Sequence, residues 1–253
     1  DYVISTATFW NDLVSWINRE LYDVLDAFRT FALLQVMRPF RDALAVAPWT
    51  LMIGLLTIGA YALGGARLAI YCAALAFAIV LTGYWIPAMN SLYLILISVT
   101  LAVIMGFPIG FWLASRSRYQ TAANLVLDTL QTLPTLVYLL PAVMLFRIGD
   151  VSAVIAVILY AMAPAIRYGM VGMSQVPVAR LEAAQITGCT GWQTLRWIRF
   201  PAALPTLLIG INQTIMMAFS MLIIAALIGT KDLGQEILIA LNRSLVGEGI
   251  VAG

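Results

Sequence analysis

Residues Val178–Pro201 read VARLEAAQITGCTGWQTLRWIRFP, a polar island between two long apolar segments. Pro177 stands where a helix can start, since a first-turn residue has no intrahelical use for its N–H. Leu181, Glu182, Ala183, Ala184 and Gln185 are good helix formers, and Gly188 stands where a C-terminal cap is expected. Thr190 followed by Gln193 fits a capping box that opens a second short helix. Pro201 marks entry into the next apolar run. The pattern predicts two short helices around a glycine break, a shape that a partner protein can grip at a membrane surface.

Working outward, 62% of the chain is hydrophobic, 10% is charged, and the mean hydropathy is +0.96. Such a chain is an integral membrane protein. Its apolar runs are continuous, which favours helices over the alternating strands of a β-barrel. The net charge of +2, without a basic cluster, offers nothing to nucleic acid. The chain has no histidine, which removes imidazole catalysis and histidine metal sites. It has no Gly-x4-Gly-Lys-Ser/Thr phosphate loop, and Lys231 is its only lysine, so it cannot itself be an ATPase. Cys72 lies in an apolar run and Cys189 in the polar island, environments too different for a disulfide.

Residues 1–47 are not a span. Phe9, Leu13, Ile17, Leu21, Val24, Phe28 and Phe31 recur at helical spacing with charges on other faces, which predicts amphipathic helices at a membrane interface or against the rest of the chain. Trp10, Trp16 and Tyr22 suit headgroup depth. The segment reads as a scaffold, with a regulatory or partner-binding role as the alternative. Six apolar segments follow near 48–64, 66–84, 90–115, 129–147, 151–173 and 202–229, close to the ~20 residues a spanning helix needs. Gly64-Gly65 predicts a hairpin between the first two. Pro108, Pro134, Pro141 and Pro164 are expected to bend or interrupt their helices. No internal repeat is visible, which weakens the case for a carrier built from inverted halves. Ile250 and Val251 begin another apolar run, and one further span is expected beyond Gly253.

Orientation follows from the basic residues. With the island cytoplasmic, alternation puts Arg67, Arg116, Arg118, Arg180, Arg196 and Arg199 inside and Arg167 near that face. Arg147, Lys231 and Arg243 fall outside together with the 1–47 tail. Asn212, Gln213 and Thr214 form a polar triplet within an apolar span, so they must face protein or water rather than lipid. Lining a pathway and hydrogen-bonding between helices satisfy that constraint equally. Ser220 follows on the same helix beside Met216, Met217 and Met221, which are adaptable fillers suited either to a gate or to an ordinary core. Tyr138 and Tyr160 could each offer a π-face to a quaternary ammonium.

Glu182-Ala183-Ala184, three residues, Gly188, nine residues, Ile198, one residue and Phe200-Pro201 resembles the EAA loop of ABC-importer permeases, with Phe-Pro where Leu-Pro is usual. Gln131 to Pro141 (QTLPTLVYLLP) is similar to the QTxPxFVYLxP segment of the glycine betaine/proline betaine, or quaternary-amine, permeases, with Leu136 replacing Phe. Met144 to Gly149 resembles their MLFGIG, with Arg147 in place of a glycine. Asn212-Gln213-Thr214 with Ser220-Met221, and Leu233-Gly234-Gln235, resemble two further elements of that family. The likeness covers roughly 48–253.

This resemblance implies an all-α, type I ABC importer permease domain over 48–253 behind an N-terminal amphipathic region, 1–47. The coupling helix would fall within 178–200, with Glu182, Ala183, Ala184, Gly188, Ile198 and Pro201 docking on the ATPase. Asn212, Gln213, Thr214, Ser220 and Tyr138 are the candidate pathway residues. The implied partners are two ATPase subunits, a periplasmic or extracellular substrate-binding protein, and a second permease copy, favoured as a homodimer. ATP and magnesium would act on the partner ATPase, with no cofactor or metal on this chain. The cargo would be a betaine-like osmolyte or another methylated amine, carried across the bacterial cytoplasmic (inner) membrane. The competing reading is a stand-alone channel or ion-coupled carrier, which would need ionisable groups inside its spans.

Overall fold

The computed structural model describes residues 7–253, so the first six residues of the 1–47 tail lie outside the described residues. Every regular element among the described residues is helical. The tail forms α1 (Ala7–Glu20), α2 (Tyr22–Phe31) and, after a wide π turn at Ala32–Met37, α3 (Arg38–Val46). All three are amphipathic, and Phe9, Trp10, Trp16 and Phe31 are exposed.

Long apolar helices follow. These are α4 (Trp49–Leu81), α5 (Trp85–Ala114), α8 (Asp150–Ser174), and a continuous run over Gly191–Ile228 whose main part is α11 (Phe200–Ala225). Between α5 and α8 lie α6 (Ser117–Thr132) and α7 (Leu136–Phe146), bent by 90° at their junction. Four helices are thus long and apolar enough to cross a membrane, or five if the bent pair is one span.

Two of the expected segments' breaks stand out. The first two segments make up α4, which is two helices meeting at a kink at Gly65 (φ 75°, ψ −171°), the break marked by the glycine pair. The fourth divides at Leu133–Thr135, because Pro134 cannot donate to the turn before it and holds Leu133 extended (φ −66°, ψ 140°). Pro108, Pro141 and Pro164 instead sit inside unbroken helices, as does Pro205. In a membrane, local adjustments and neighbouring helices absorb the missing donor.

The chain forms two compact units. One comprises Ile95–Tyr138 and Val154–Met221, and small residues set its packing. A Cβ on Gly110 would lie 2.4 Å from the Ile166 carbonyl oxygen and 2.8 Å from the Met170 nitrogen; one on Gly106 would lie 2.7 Å from the Ala165 Cβ. These glycines, one helical turn apart, let the α5 and α8 backbones touch, the close approach that replaces the hydrophobic effect as the source of packing inside lipid. Leu113, Leu127, Ile166 and Met170 fill the seam with α6, while Met173, Ala203 and Leu207 join α8 to α11.

The other unit comprises Asp1–Leu94, Leu139–Ala153 and Leu222–Gly253. The tail grips the turn after α7. Asn18 Nδ2 donates to the Met144 carbonyl at 3.0 Å, Arg147 Nη2 donates to Tyr22 Oη at 2.6 Å, and Phe28 meets Phe146 with ring centroids 5.7 Å apart. Arg147, which stands where the resembling permeases carry glycine, has φ +64°. A side chain in that left-handed region costs about 1–2 kcal/mol. The contacts to Tyr22, including a cation–π approach of 5.5 Å, and a hydrogen bond from Ser152 Oγ to the Arg147 carbonyl hold it there.

In the same unit, α12 (Leu233–Asn242) and α13 (Val246–Ala252) follow α11. Asp232 caps α12 by accepting the Gln235 N–H at 3.0 Å. Tyr93 hydrogen-bonds Asp150, and Arg41 lies 3.9 Å from the same carboxylate.

Candidate functional site

The polar island folds largely as its residues dictate. Helix α9 (Val178–Ile186) begins after Pro177 (φ −56°, ψ 134°). It ends in a Schellman turn: Gly188 takes φ +73°, its N–H reaches the Gln185 carbonyl at 3.0 Å, and the Cys189 N–H reaches that of Ala184 at 2.9 Å. Thr190 then opens α10 (Gly191–Thr194) through a reciprocal capping box. The Gln193 N–H donates to Thr190 Oγ1 at 3.4 Å, and the Thr190 N–H donates to Gln193 Oε1 at 2.7 Å.

The second helix is not separate, however. It continues through a π turn at Leu195–Arg199 into α11. The wider turn accommodates Pro201, which has no N–H to return to the preceding turn. The island is therefore one short helix on a tight glycine hinge, followed by a helix rigidly continuous with a span.

This construction leaves a distinctive surface. Ala183, Ala184, Ile198 and Pro201 line a single groove of about 510 Å³ together with Arg180, Thr187, Trp197 and Ala202. Glu182 and Ala183 are exposed, whereas Ala184 is buried. Three large apolar side chains that the motif did not single out stand out from the island: Ile186 (87% exposed), Trp192 (67%) and Trp197 (72%). Large apolar side chains exposed within a polar connection fit a protein or membrane contact. Its signal was present in the sequence as apolar residues interrupting an otherwise polar stretch. Arg180, Arg196 and Arg199 outnumber Glu182, so the island as a whole is basic.

The pathway candidates on α11 point in different directions, as successive helical residues must. Thr214 is fully buried, and its hydroxyl donates to the Gly210 carbonyl of its own helix at 2.8 Å. It is satisfied without reaching another helix. Asn212 is exposed and Gln213 half-buried. Ser220 is exposed and donates to the Met216 carbonyl at 3.1 Å. Of the methionines, Met221 is fully buried and Met216 is 57% exposed. Tyr138 is buried, hydrogen-bonds the Leu130 carbonyl, and meets Tyr160 edge-on at 5.6 Å. Its ring is committed to that packing.

Sequence reasoning passed over Asp128. It pairs with Arg167 at 2.5 Å, and Gln131 Oε1 accepts from the same Arg167 nitrogen at 3.4 Å. Arg167 lies seven residues before the end of α8. Two lone charges in otherwise apolar stretches were the available signal.

Comparison with known proteins places this architecture. The family profile described as "Binding-protein-dependent transport system inner membrane component" matches residues 106–253. The chain is 40% identical over 99% of its length to the trimethylamine N-oxide transport system permease protein TmoV of Pelagibacter ubique, covering 35% of that protein. It is 42% identical over 68% of its length to the glycine betaine transport system permease protein OpuAB of Bacillus subtilis, covering 61% of it. To the glycine betaine/proline betaine transport system permease protein ProW of Escherichia coli it is 34% identical over 95% of its length, covering 70% of that relative. The chain thus spans about a third of the trimethylamine N-oxide permease and more of the betaine permeases. With the family profile matching more than half of it, this all-α membrane chain belongs to the binding-protein-dependent transport system inner membrane components, the type I ABC permeases.

Proposed function

We propose that this chain is the membrane-spanning, non-catalytic permease subunit of an ATP-driven importer for a betaine-like osmolyte or another methylated amine. Residues 48–253 serve as its transmembrane domain and 1–47 as an amphipathic region at the membrane interface. The observation that carries the reading is the single groove lined by Ala183, Ala184, Ile198 and Pro201 on a helix hinged at Gly188. Four residues of a spaced sequence motif, eighteen positions apart at the extremes, line one groove beside a helix that runs on into a span. The cargoes in the relatives' names (trimethylamine N-oxide, glycine betaine, proline betaine) supply the substrate class.

In this mechanism two partner ATPases hold ATP and magnesium and grip the coupling helices of two permease copies. Glu182 and the apolar Ile186 and Trp197 are available for that docking, and a homodimer completes the pathway. Closure of the ATPases draws the coupling helices together. Because the π turn makes the island continuous with α11, that displacement passes to the span as rigid-body motion, switching the access of the path. A substrate-binding protein delivers cargo on the opposite side. Asn212, Gln213 and Ser220 are placed along the helix that moves; Thr214 supports them from within it.

Replacing Gly188 by proline tests the coupling helix, because proline cannot adopt φ +73° or donate the N–H that Gln185 accepts. In the reconstituted complex the variant should assemble while ligand-stimulated ATP hydrolysis and uptake fall at least tenfold. Unchanged stimulation would refute the docking assignment. The Arg167–Asp128 pair is a feature that an ion-coupled carrier would also display. ATP-independent uptake that collapses with the proton gradient would favour that second reading.

A further inference from the structure

Between Val151 and Ser174, Arg167 is the only charged residue of α8. Seven residues separate it from Ser174, about 10 Å along the helix axis at 1.5 Å per residue. Its neighbours Ile166 and Met170 are buried in the seam with Leu127, so the guanidinium emerges at the edge of a close-packed core. Yet the ion pair is partly open. The Asp128 side chain is 60% exposed and that of Arg167 is 32% exposed. Lipid cannot solvate them, so this face must meet protein or a water-filled path.

The pair is also unsaturated. Arg167 Nη2 makes both of its contacts, to Asp128 and Gln131, while Nε is buried without an acceptor. The guanidinium thus holds Asp128 through one terminal nitrogen, and its inner N–H is left without an acceptor. A tie serving structure alone would be expected to use the bidentate fork that arginine offers a carboxylate.

These observations define what could replace the internal partner. Parting the two charges costs each its counter-charge unless another group replaces it. A cation could pair with Asp128 but would strand Arg167, and an anion would do the reverse. A zwitterion can insert between them, with its carboxylate on Arg167 and its ammonium beside Asp128, so that no charge is left unpaired. We propose that Arg167 and Asp128 form a transient cargo site within the translocation path, which opens for net-neutral zwitterions bearing a carboxylate and a quaternary ammonium and closes as a salt bridge behind them. The site rests on the importer reading above and narrows its cargo from methylated amines in general to zwitterionic ones.

The test uses the complete complex of permease, ATPase and binding protein in liposomes, with radiolabelled glycine betaine as the probe. Wild-type uptake is measured first; an ATP-driven complex that imports no glycine betaine overturns the importer reading and this site with it. Given wild-type transport, two double variants are compared: the neutral pair Arg167→Gln/Asp128→Asn, and the exchanged pair Arg167→Asp/Asp128→Arg. The neutral pair leaves no bare charge, so it should assemble and melt like wild type and retain stimulated ATP hydrolysis, yet carry at least tenfold less glycine betaine per ATP. The exchanged pair restores the salt bridge with inverted geometry and should likewise assemble while transporting poorly. Wild-type uptake per ATP in either variant overturns the site. So does a loss of uptake that only follows a loss of melting temperature, and so does failure of both variants to assemble, since either outcome assigns the pair to structure.

Discussion

Asp232 shows how a single residue can carry opposing demands. It is fully buried and caps α12 with one oxygen, while its other oxygen and the Thr230 hydroxyl lack well-formed hydrogen bonds. Burial pushes its carboxyl above the ordinary value of 3.8, and the Gln235 N–H and the nearby Thr230 hydroxyl oppose that rise only in part. A raised folded-state value means that the native protein holds the proton longer than the unfolded chain does. Its contribution to stability is therefore greatest below pH 3.8 and is lost as pH rises through the folded value. Asn keeps the capping oxygen and removes the titration. The melting temperature of Asp232→Asn should change less with pH across that window than that of wild type, and parallel pH profiles would refute the assignment. Arg147 presents the converse case, a side chain held at φ +64° by tail contacts that reading the turn alone could not foresee.

At the scale of elements, contact between α5 and α8 depends on the absence of side chains. The Cβ of Gly110→Ala would fall 2.4 Å from a carbonyl oxygen and 2.8 Å from a backbone nitrogen, neither of which can swing aside. The helices would have to separate, with an expected loss of about 1–3 kcal/mol typical of overpacking. Gly54→Ala, with nothing within 4 Å of the new methyl, is the control and should be neutral or slightly stabilising. Thermal unfolding of the purified permease in detergent distinguishes them; equal melting would show that the close approach is not maintained. The island displays the same logic in reverse. Its capping box and Schellman turn are local hydrogen-bond patterns, so a few adjacent residues encode them. The π turn that joins α10 to α11 has no comparable local signature beyond Pro201.

For the whole molecule, the orientation inferred from basic residues makes the 178–200 island cytoplasmic and places the Arg147 turn outside. Arg41 and Tyr93, from the segments on either side of α4, both reach Asp150, which supports a chain that returns at Gly65 to the side it left. On that orientation the tail, through Arg41, would lie on the side of Asp150. Single cysteines at Ile148 (67% exposed) and Trp192 (67%), in a background lacking Cys72 and Cys189, should meet a membrane-impermeant maleimide differently. In intact cells only the Ile148 position should label, and the Trp192 position should label only after permeabilisation. Labelling of both in intact cells would overturn the orientation.

What the residues determined by themselves was the solvent and the local punctuation. Continuous apolar runs require lipid and intrahelical hydrogen bonding, and Gly65, Pro134, Gly188 and Thr190 mark breaks because glycine freedom, the missing proline donor and side-chain capping act within a few residues. What tertiary structure decided was which residues meet across long separations. The groove gathering Ala183 with Ile198 and Pro201, the Arg167–Asp128 pair, the tail's hold on Arg147 and the burial of Thr214 depend on how helices are rotated and how closely they approach. Periodicity could not settle those rotations. A helix that is apolar all round presents no preferred face, and in lipid the small residues at the crossings, rather than a hydrophobic stripe, choose the contact.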